Sequence, residues 1–314
     1  MAVPLDEFMF LWYYFTKYFE YFNHLRIFAE RKIIMKIKIL SDSTCDLSPA
    51  QLQENDISLA RLTVVKGDEQ FIDGVTITPA EIFAHVAAGG GLCSTAAYSI
   101  GQYEELFSQY ANDYDGVIHI NIGSGFSACY QNATIAAADF PNVRVIDSMN
   151  LSTGHGHVVL EACRLAKTCE SLDEIVEKLN AFTPRVQASF LLDRLDYMVK
   201  GGRCSSAAAL GANLLNLKPC IEVKNGKMGV TKKYRGPYAK CLANYVKDQL
   251  ADRDDIVRKE LFLTYTQVDD KCLTAVKDAI AACEPFETVY ETVAGCTVSC
   301  HCGPGTLGVL FVCK

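Results

Sequence analysis

The hydrophobic and polar positions in the first half of the chain predict strands that alternate with helices. Short apolar runs bounded by glycine or polar residues predict strands, and apolar residues spaced three or four apart predict helices. The predicted strands cover residues 36–40, 59–65, 116–122 and 143–146, and the predicted helices cover residues 48–55, 79–88, 103–110 and 128–139. Alternation of this kind is typical of a parallel sheet covered by helices, so we predict an N-terminal α/β domain.

The second half of the chain mixes hairpins with helices. Ser171 and Glu174 form a capping-box pattern before a predicted helix over residues 172–182, and Asn225-Gly226 is typical of a two-residue hairpin turn. The other predicted strands cover residues 186–192, 220–224, 228–234, 261–265, 288–293 and 306–312, and the other predicted helices cover residues 158–168, 238–252 and 270–283. We therefore predict a mixed α/β domain, and divide the fold into residues 35–153 and residues 154–314.

The first 34 residues differ in composition from the rest, because they contain 11 of the 32 aromatic residues of the chain. Asp6 and Glu7 stand where a signal peptide has basic residues, and Lys17 and Glu20 interrupt the apolar stretch well short of a ~20-residue membrane span. We interpret residues 1–34 as an extension outside the fold, with an interfacial amphipathic helix as the alternative.

Charge and cysteine content exclude some classes of protein. The 30 Lys and Arg residues against 37 Asp and Glu residues give a net charge of −7, which disfavours a nucleic-acid partner. The 14 cysteines are scattered singly along a large α/β pattern rather than grouped in a short secreted chain. We expect reduced thiols in a cytoplasmic protein that is not inserted stably in a membrane.

A sharp corner between a strand and a helix carries the strongest chemical signal. The apolar run that ends at Ile122 is followed by Gly123-Ser124-Gly125-Phe126-Ser127, and the next predicted helix directs free N–H groups at this turn. Ligands of parallel α/β sheets bind beyond the carboxyl ends of the strands. Residues 42–46, 123–127 and 147–152 follow such strand ends, so we predict an anion site there.

Three other readings of the polar residues lead to different chemistry. Ser127, Asp147 and His301 follow the chain order of a serine hydrolase, although the segment lacks the last glycine of a nucleophile elbow. The glycines of residues 89–91 are not followed by the Gly-Lys of a phosphate loop, and we expect them to end a helix. Cys296, Cys300, His301 and Cys302 are close in sequence, but neighbours point in opposite directions on an extended chain, so no metal site is expected.

Several separated motifs resemble those of the DegV family of bacterial fatty-acid-binding proteins. Residues 42–46 are similar to its opening D-S-T-x-D, residues 124–133 to S-G-L-S-G-T-Y-Q-x-A, and residues 145–148 to V-I-D-S. Further motifs are Lys200-Gly201-Gly202-Arg203, Lys218-Pro219 and the turn that His301 opens over residues 301–305. The motifs occur in the family's order over residues 36–314.

The resemblance implies a fatty acid in a tunnel between the two domains, with its carboxylate held by a threonine, a serine and a histidine. These are Thr95, Ser127 and His301 here, with Ser94 as the alternative threonine-loop residue. Ser124 and Gly125 would support the carboxylate. Departures occur at Ala128-Cys129, where the family has Gly-Thr, and at Ala96-Ala97, where serine and proline are usual.

The same resemblance implies a carrier and not an enzyme. The bound acid would be presented to a separate fatty acid kinase, which phosphorylates the carboxylate for lipid synthesis. Arg203 and Arg235 would face that kinase or its nucleotide, with a surface salt bridge as the favoured alternative for Arg235. The fatty acid is the expected ligand, and no cofactor or metal is expected. The alternative is a serine hydrolase of lipid-like esters that uses Ser127, Asp147 and His301.

Overall fold

A computed structural model describes Lys17, residues 35–209 and residues 217–314. The prediction for residues 1–34 lies outside the described residues, apart from Lys17. Thirteen strands are present in the described part of the chain. They are β1 (Ile37–Asp42), β2 (Ser58–Ala60), β3 (Thr63–Lys66), β4 (Glu69–Ile72), β5 (Ser94–Ala96), β6 (Gly116–Asn121), β7 (Val143–Asp147), β8 (Val186–Leu191), β9 (Leu217–Lys224), β10 (Lys227–Arg235), β11 (Ile256–Tyr265), β12 (Thr288–Val293) and β13 (Leu307–Cys313).

Eleven α-helices connect these strands in the described residues, and short 3₁₀ turns lie at Ser43–Cys45 and Thr183–Arg185. The helices are α1 (Pro49–Glu54), α2 (Pro79–Ala87), α3 (Ile100–Ser108), α4 (Cys129–Ala137), α5 (Ser152–Ala166), α6 (Leu172–Phe182), α7 (Asp196–Gly201), α8 (Ser205–Ala208), α9 (Tyr238–Leu250), α10 (Asp270–Ala281) and α11 (Cys296–Cys302). None of the described helices is both long and apolar enough to cross a membrane.

The first sheet has the order β2-β1-β6-β7 and is parallel throughout. Its central strands are buried on both faces, as β6 is from Gly116 to Asn121, which explains their continuous apolar runs. The second sheet has the order β10-β9-β8-β13-β11-β12 and is antiparallel except between β11 and β12. The predicted α/β class, with a parallel N-terminal sheet and a mixed C-terminal one, is confirmed.

A third, three-stranded antiparallel sheet of order β4-β3-β5 was missed by the periodicity. The single strand predicted over residues 59–65 is wrong, because the chain leaves the parallel sheet after Ala60 and enters this small sheet at Thr63. The Ser43 hydroxyl accepts the Leu62 N–H (3.1 Å), and the Leu62 carbonyl accepts the Asp73 N–H (2.9 Å). These two bonds hold Leu62 at the point where the chain passes from the first sheet to the third.

Local capping explains several helix starts. Ser48, Thr78 and Ser99 each form a full capping box with the third helical residue. The capping box predicted at Ser171 is half formed: the Ser171 hydroxyl accepts the Glu174 N–H (3.1 Å), but the Glu174 carboxylate accepts the Glu170 N–H (2.8 Å) instead. At the predicted hairpin, Asn225 and Gly226 have φ of 51° and 70°, as a type I′ turn requires.

Helix α5 packs against strands of both large sheets. Its fully buried His155 is hydrogen-bonded through Nε2 to the Ile120 carbonyl on β6 (3.1 Å), and its buried His157 through Nε2 to the Leu310 carbonyl on β13 (3.1 Å). The predicted division between residues 153 and 154 falls in the first turn of this helix. The carboxyl ends of the parallel strands meet the second sheet near the start of α5.

Candidate functional site

Two aspartates at strand ends hold the corner after β6. The Asp42 carboxylate at the end of β1 accepts the Ile122 N–H (2.7 Å), and the Asp147 carboxylate at the end of β7 accepts the Ser124 N–H (3.1 Å) and the Met149 N–H (2.8 Å). The turn is therefore fixed from both neighbouring strands. Helix α4 then starts at Cys129, whose N–H donates to the Ser127 hydroxyl oxygen (3.3 Å).

Gly125 is needed at this corner because the β9–β10 hairpin reaches it. A Cβ atom at Gly125 would lie 2.2 Å from the Gly226 carbonyl oxygen, far inside van der Waals contact. The corner of the first sheet and the hairpin of the second sheet therefore touch through backbone atoms.

Thr95 and His301 come together from opposite ends of the chain. Thr95 is the middle residue of β5, and its side chain points inward while its neighbours Ser94 and Ala96 are exposed. Its Oγ1 is hydrogen-bonded to Nε2 of His301 (2.9 Å). His301 lies in the last turn of α11, so the prediction that it opens a rigid turn is wrong by two residues: the helix continues to Cys302, and Gly303 ends it.

Buried carboxyl groups hold the N-terminus of α11, where backbone N–H groups lack helical partners. Asp73 accepts the N–H of Cys296 (3.0 Å) and of Thr297 (3.2 Å), the Thr297 hydroxyl (2.7 Å) and the Ser43 hydroxyl (2.9 Å). Asp46 accepts the Gly295 N–H (2.9 Å) and the Ser152 hydroxyl (2.6 Å). Asp46 thereby connects the end of β1 to the helix of His301. Asp73, which follows β4, connects the third sheet to the same helix and to Ser43 after β1.

His301 is neutral in these surroundings. Burial and, to a smaller extent, the nearby Arg203 guanidinium lower its pKa to about 4. The Nδ1 atom is buried with no hydrogen-bond partner among the described residues, and a Cβ atom at Gly201 would lie 2.5 Å from it. The first glycine of the Lys200-Gly201-Gly202-Arg203 motif therefore provides space for the imidazole.

Ser127, Thr95, His301 and Arg203 all line one cavity of about 190 Å³. The remaining walls are mostly apolar, and include Leu62, Ile122, Phe126, Met198, Met228 and Val298. A smaller, mainly apolar cavity lies beside it and shares Leu151, Val298 and Cys302 with the first. The arrangement places a few polar groups at one part of an apolar space, which suits an amphipathic ligand.

The other predicted residues lie outside the cavity walls. Ser94 is exposed, Ser124 is fixed by Asp147, Gly125 packs on the hairpin, and Arg235 is exposed at the end of β10. Periodicity and motifs gave no signal for the methionines at 198 and 228, because their place in the wall depends on how the second sheet meets the first.

The hydrolase constellation is not assembled within residues 35–209 and 217–314. The Ser127 hydroxyl donates to the Cys129 thiol (3.2 Å), His301 is bonded to Thr95, and Asp147 holds backbone N–H groups. No described group of three or more His, Cys, Asp or Glu residues could hold a metal ion. The four residues considered for zinc lie on a helix, so the extended geometry assumed for them is wrong.

Comparison with known proteins finds a matching family and relatives over most of the chain. A family model described as "Uncharacterised protein, DegV family" matches residues 36–314. A DegV domain-containing protein of Clostridium acetobutylicum is 32% identical over 281 residues, which cover 89% of this chain and 99% of that protein.

Solved structures share the fold. A DegV family protein from Thermus thermophilus, whose structure is described as showing fatty acid binding, has a TM-score of 0.80 and 26% identity, over 89% of this chain and all of that one. A fatty-acid-binding DegV family protein from Streptococcus agalactiae has a TM-score of 0.77 and 23% identity, over 89% of this chain and 99% of that one.

Removal of the Asp73 carboxyl group is expected to destabilise the protein. Asp73→Ala leaves the Cys296 and Thr297 N–H groups buried without acceptors, so we expect the free energy of unfolding to fall by about 3 kcal/mol in urea titrations. Asp68→Ala, at an exposed position between β3 and β4, is the matched control with little change. An equal effect of both substitutions would contradict the capping role.

The buried carboxyl group of Asp46 should make the free energy of unfolding depend on pH. Burial raises its pKa to about 8, against 3.8 in the unfolded chain, so the folded protein binds more protons between these values and loses stability as pH rises. Asp46→Asn does not titrate. The free energy of unfolding of Asp46→Asn, minus that of the unmodified protein, should therefore increase from pH 4 to pH 8. The increase should be roughly 1 kcal/mol per pH unit. A difference that stays constant over this range would show that Asp46 is ionised in the fold.

Proposed function

The chain belongs to the DegV family, and on that premise we propose that it binds a long-chain fatty acid and acts as a carrier. The observation that carries this proposal is the convergence of Thr95, Ser127 and His301 on one largely apolar cavity. The relative from Thermus thermophilus, described as a fatty acid binder, supports the ligand class.

The polar residues suit a carboxylate head group. Two hydroxyls can donate hydrogen bonds to its oxygens, and a neutral imidazole can donate through one ring nitrogen. Hydrogen bonds to a charged group contribute about 1.5 to 3 kcal/mol each. Arg203, which donates to the Gly201 carbonyl (2.6 Å) and lines the cavity, adds positive charge without a direct ion pair to another described residue.

The apolar walls suit the acyl tail. About 15 methylenes at roughly 0.8 kcal/mol each give on the order of 12 kcal/mol before the costs of ordering. We place the tail along Phe126 and Met198 toward the smaller cavity beyond Leu151 and Val298. The tail then supplies most of the affinity, and the head group fixes the orientation.

The finer features of the proposal follow from the family resemblance. We propose that the bound carboxylate is presented to a separate fatty acid kinase, with Arg203 and Arg235 at the contact. The ligand would lie between subdomains of residues 35–153 and 154–314. A cytoplasmic location is supported by the 14 cysteines, all of which are free thiols.

Mass spectrometry of an organic extract tests the proposal. Protein purified from a bacterial host should release about one long-chain fatty acid per chain. An extract without fatty acid, together with covalent labelling of Ser127 by an activated phosphonate, would contradict the carrier and support the hydrolase.

Substitutions at the polar end of the cavity should weaken binding without unfolding the chain. We expect Ser127→Ala and His301→Ala each to raise the Kd for palmitate about tenfold, because each removes one hydrogen bond to the carboxylate. Ser94→Ala is the control, since this neighbour of Thr95 is exposed. Displacement of a fluorescent fatty acid gives the Kd values. If Ser127→Ala and His301→Ala both bind as tightly as the control, the carboxylate lies elsewhere.

A further inference from the structure

The Ser127 hydroxyl, which the proposed clamp requires as a donor, has an acceptor inside the protein. It donates to the Cys129 thiol (3.2 Å), and its oxygen accepts the Cys129 N–H (3.3 Å). We propose that Cys129 sets the strength of the carboxylate site: its backbone N–H fixes the Ser127 oxygen, and its sulfur is a weak acceptor that competes with the ligand for the hydrogen bond of the Ser127 hydroxyl. The inference rests on the proposed function.

Transfer of the Ser127 hydrogen bond from the Cys129 sulfur to a carboxylate is favourable. A neutral thiol is a weak hydrogen-bond acceptor, whereas a carboxylate is a strong one. Cys129 is fully buried, and burial raises its pKa, so the thiol stays protonated and does not become the strong acceptor that a thiolate would be. Rotation of the hydroxyl from Cys129 to a carboxylate exchanges a weak bond for a charge-assisted one.

Buried polar groups surround the Cys129 sulfur. The Tyr103 hydroxyl lies near this thiol and accepts a hydrogen bond from Asn121 Nδ2 (2.8 Å). Asn121 Nδ2 also lies 3.4 Å from the Asp42 carboxylate, which anchors the corner. Cys129 thus lies beside the residues that shape the turn, while Ser127 remains at the cavity wall.

Replacement of the Cys129 sulfur by oxygen should weaken fatty acid binding. In Cys129→Ser the new hydroxyl oxygen is a stronger acceptor for the Ser127 proton and competes with the ligand, so we expect the Kd for palmitate to rise about three- to tenfold. In Cys129→Ala this competing acceptor is removed, so the Kd for palmitate should fall below that of the unmodified protein.

A double-mutant cycle tests the coupling between the two residues. The Kd for palmitate is measured by displacement of a fluorescent fatty acid for both Cys129 variants, alone and combined with Ser127→Ala. With alanine at residue 127, Cys129→Ser and Cys129→Ala should bind within about twofold of each other. Thermal unfolding checks that each variant is folded, and Cys129→Thr replaces Cys129→Ser if the latter does not fold.

A spectroscopic signature separates positioning from a general structural effect. The carboxyl carbon of [1-¹³C]palmitate should show the unmodified NMR shift with Cys129→Ala, and a shift displaced toward that of Ser127→Ala with Cys129→Ser. The inference is overturned if Cys129→Ala weakens binding as much as Cys129→Ser, or if the effect of serine persists without the Ser127 hydroxyl. If Ser127→Ala itself binds palmitate normally, the proposed clamp fails, and the inference fails with it.

Discussion

The hydrogen bonds of Asp73 determine whether the candidate site exists at all. This buried carboxyl group follows β4 and joins the 3₁₀ turn after β1, through Ser43, to the start of α11, through Cys296 and Thr297. The bonds hold the small antiparallel sheet, which carries Thr95, against the helix that carries His301. No single element supplies the polar end of the cavity. This polar end results from the contact between Thr95 and His301, which lie more than 200 residues apart in the chain. The buried Asp73 carboxyl group holds their segments together through hydrogen bonds from uncharged groups.

The architecture was readable from the sequence because buried parallel strands and amphipathic helices have different periods. Strands β6, β7 and β12 and helices α6 and α9 were found within about two residues of their ends. The split between β2 and β3 was not readable, because the largely apolar stretch from Leu59 to Val65 contains no glycine or proline to mark the change of sheet. That change depends on Ser43 and Asp73, which bind the backbone of Leu62 from distant positions. Helix α11 was missed for a related reason, since its start is stabilised by aspartates far away in sequence.

The site was predicted in part. The corner at residues 123–127 followed from glycines after an apolar run. Thr95 entered only through the family resemblance, and His301 was a candidate for other sites before it, since nothing local indicates that these two residues meet. Arg203 was predicted from its motif, and the structure shows what two residues of that motif contact. Gly201 provides space for the His301 ring. The Arg203 side chain donates to the Phe126 carbonyl at the cavity wall (3.4 Å). The apolar walls were beyond prediction, because the residues that share them come from different sheets.

Helix α5 couples the folding of the first sheet to that of the second. Two of its histidines, separated by one residue, bind carbonyls of different sheets, His155 on β6 and His157 on β13. Both imidazoles are buried and neutral, since burial lowers the pKa of each. If either sheet unfolded alone, one of these rings would be exposed and would lose its hydrogen-bond acceptor. The two halves therefore share one helix as common core, and they are expected to unfold in a single transition, so that the cavity between them disappears all at once and not by the separation of two stable halves.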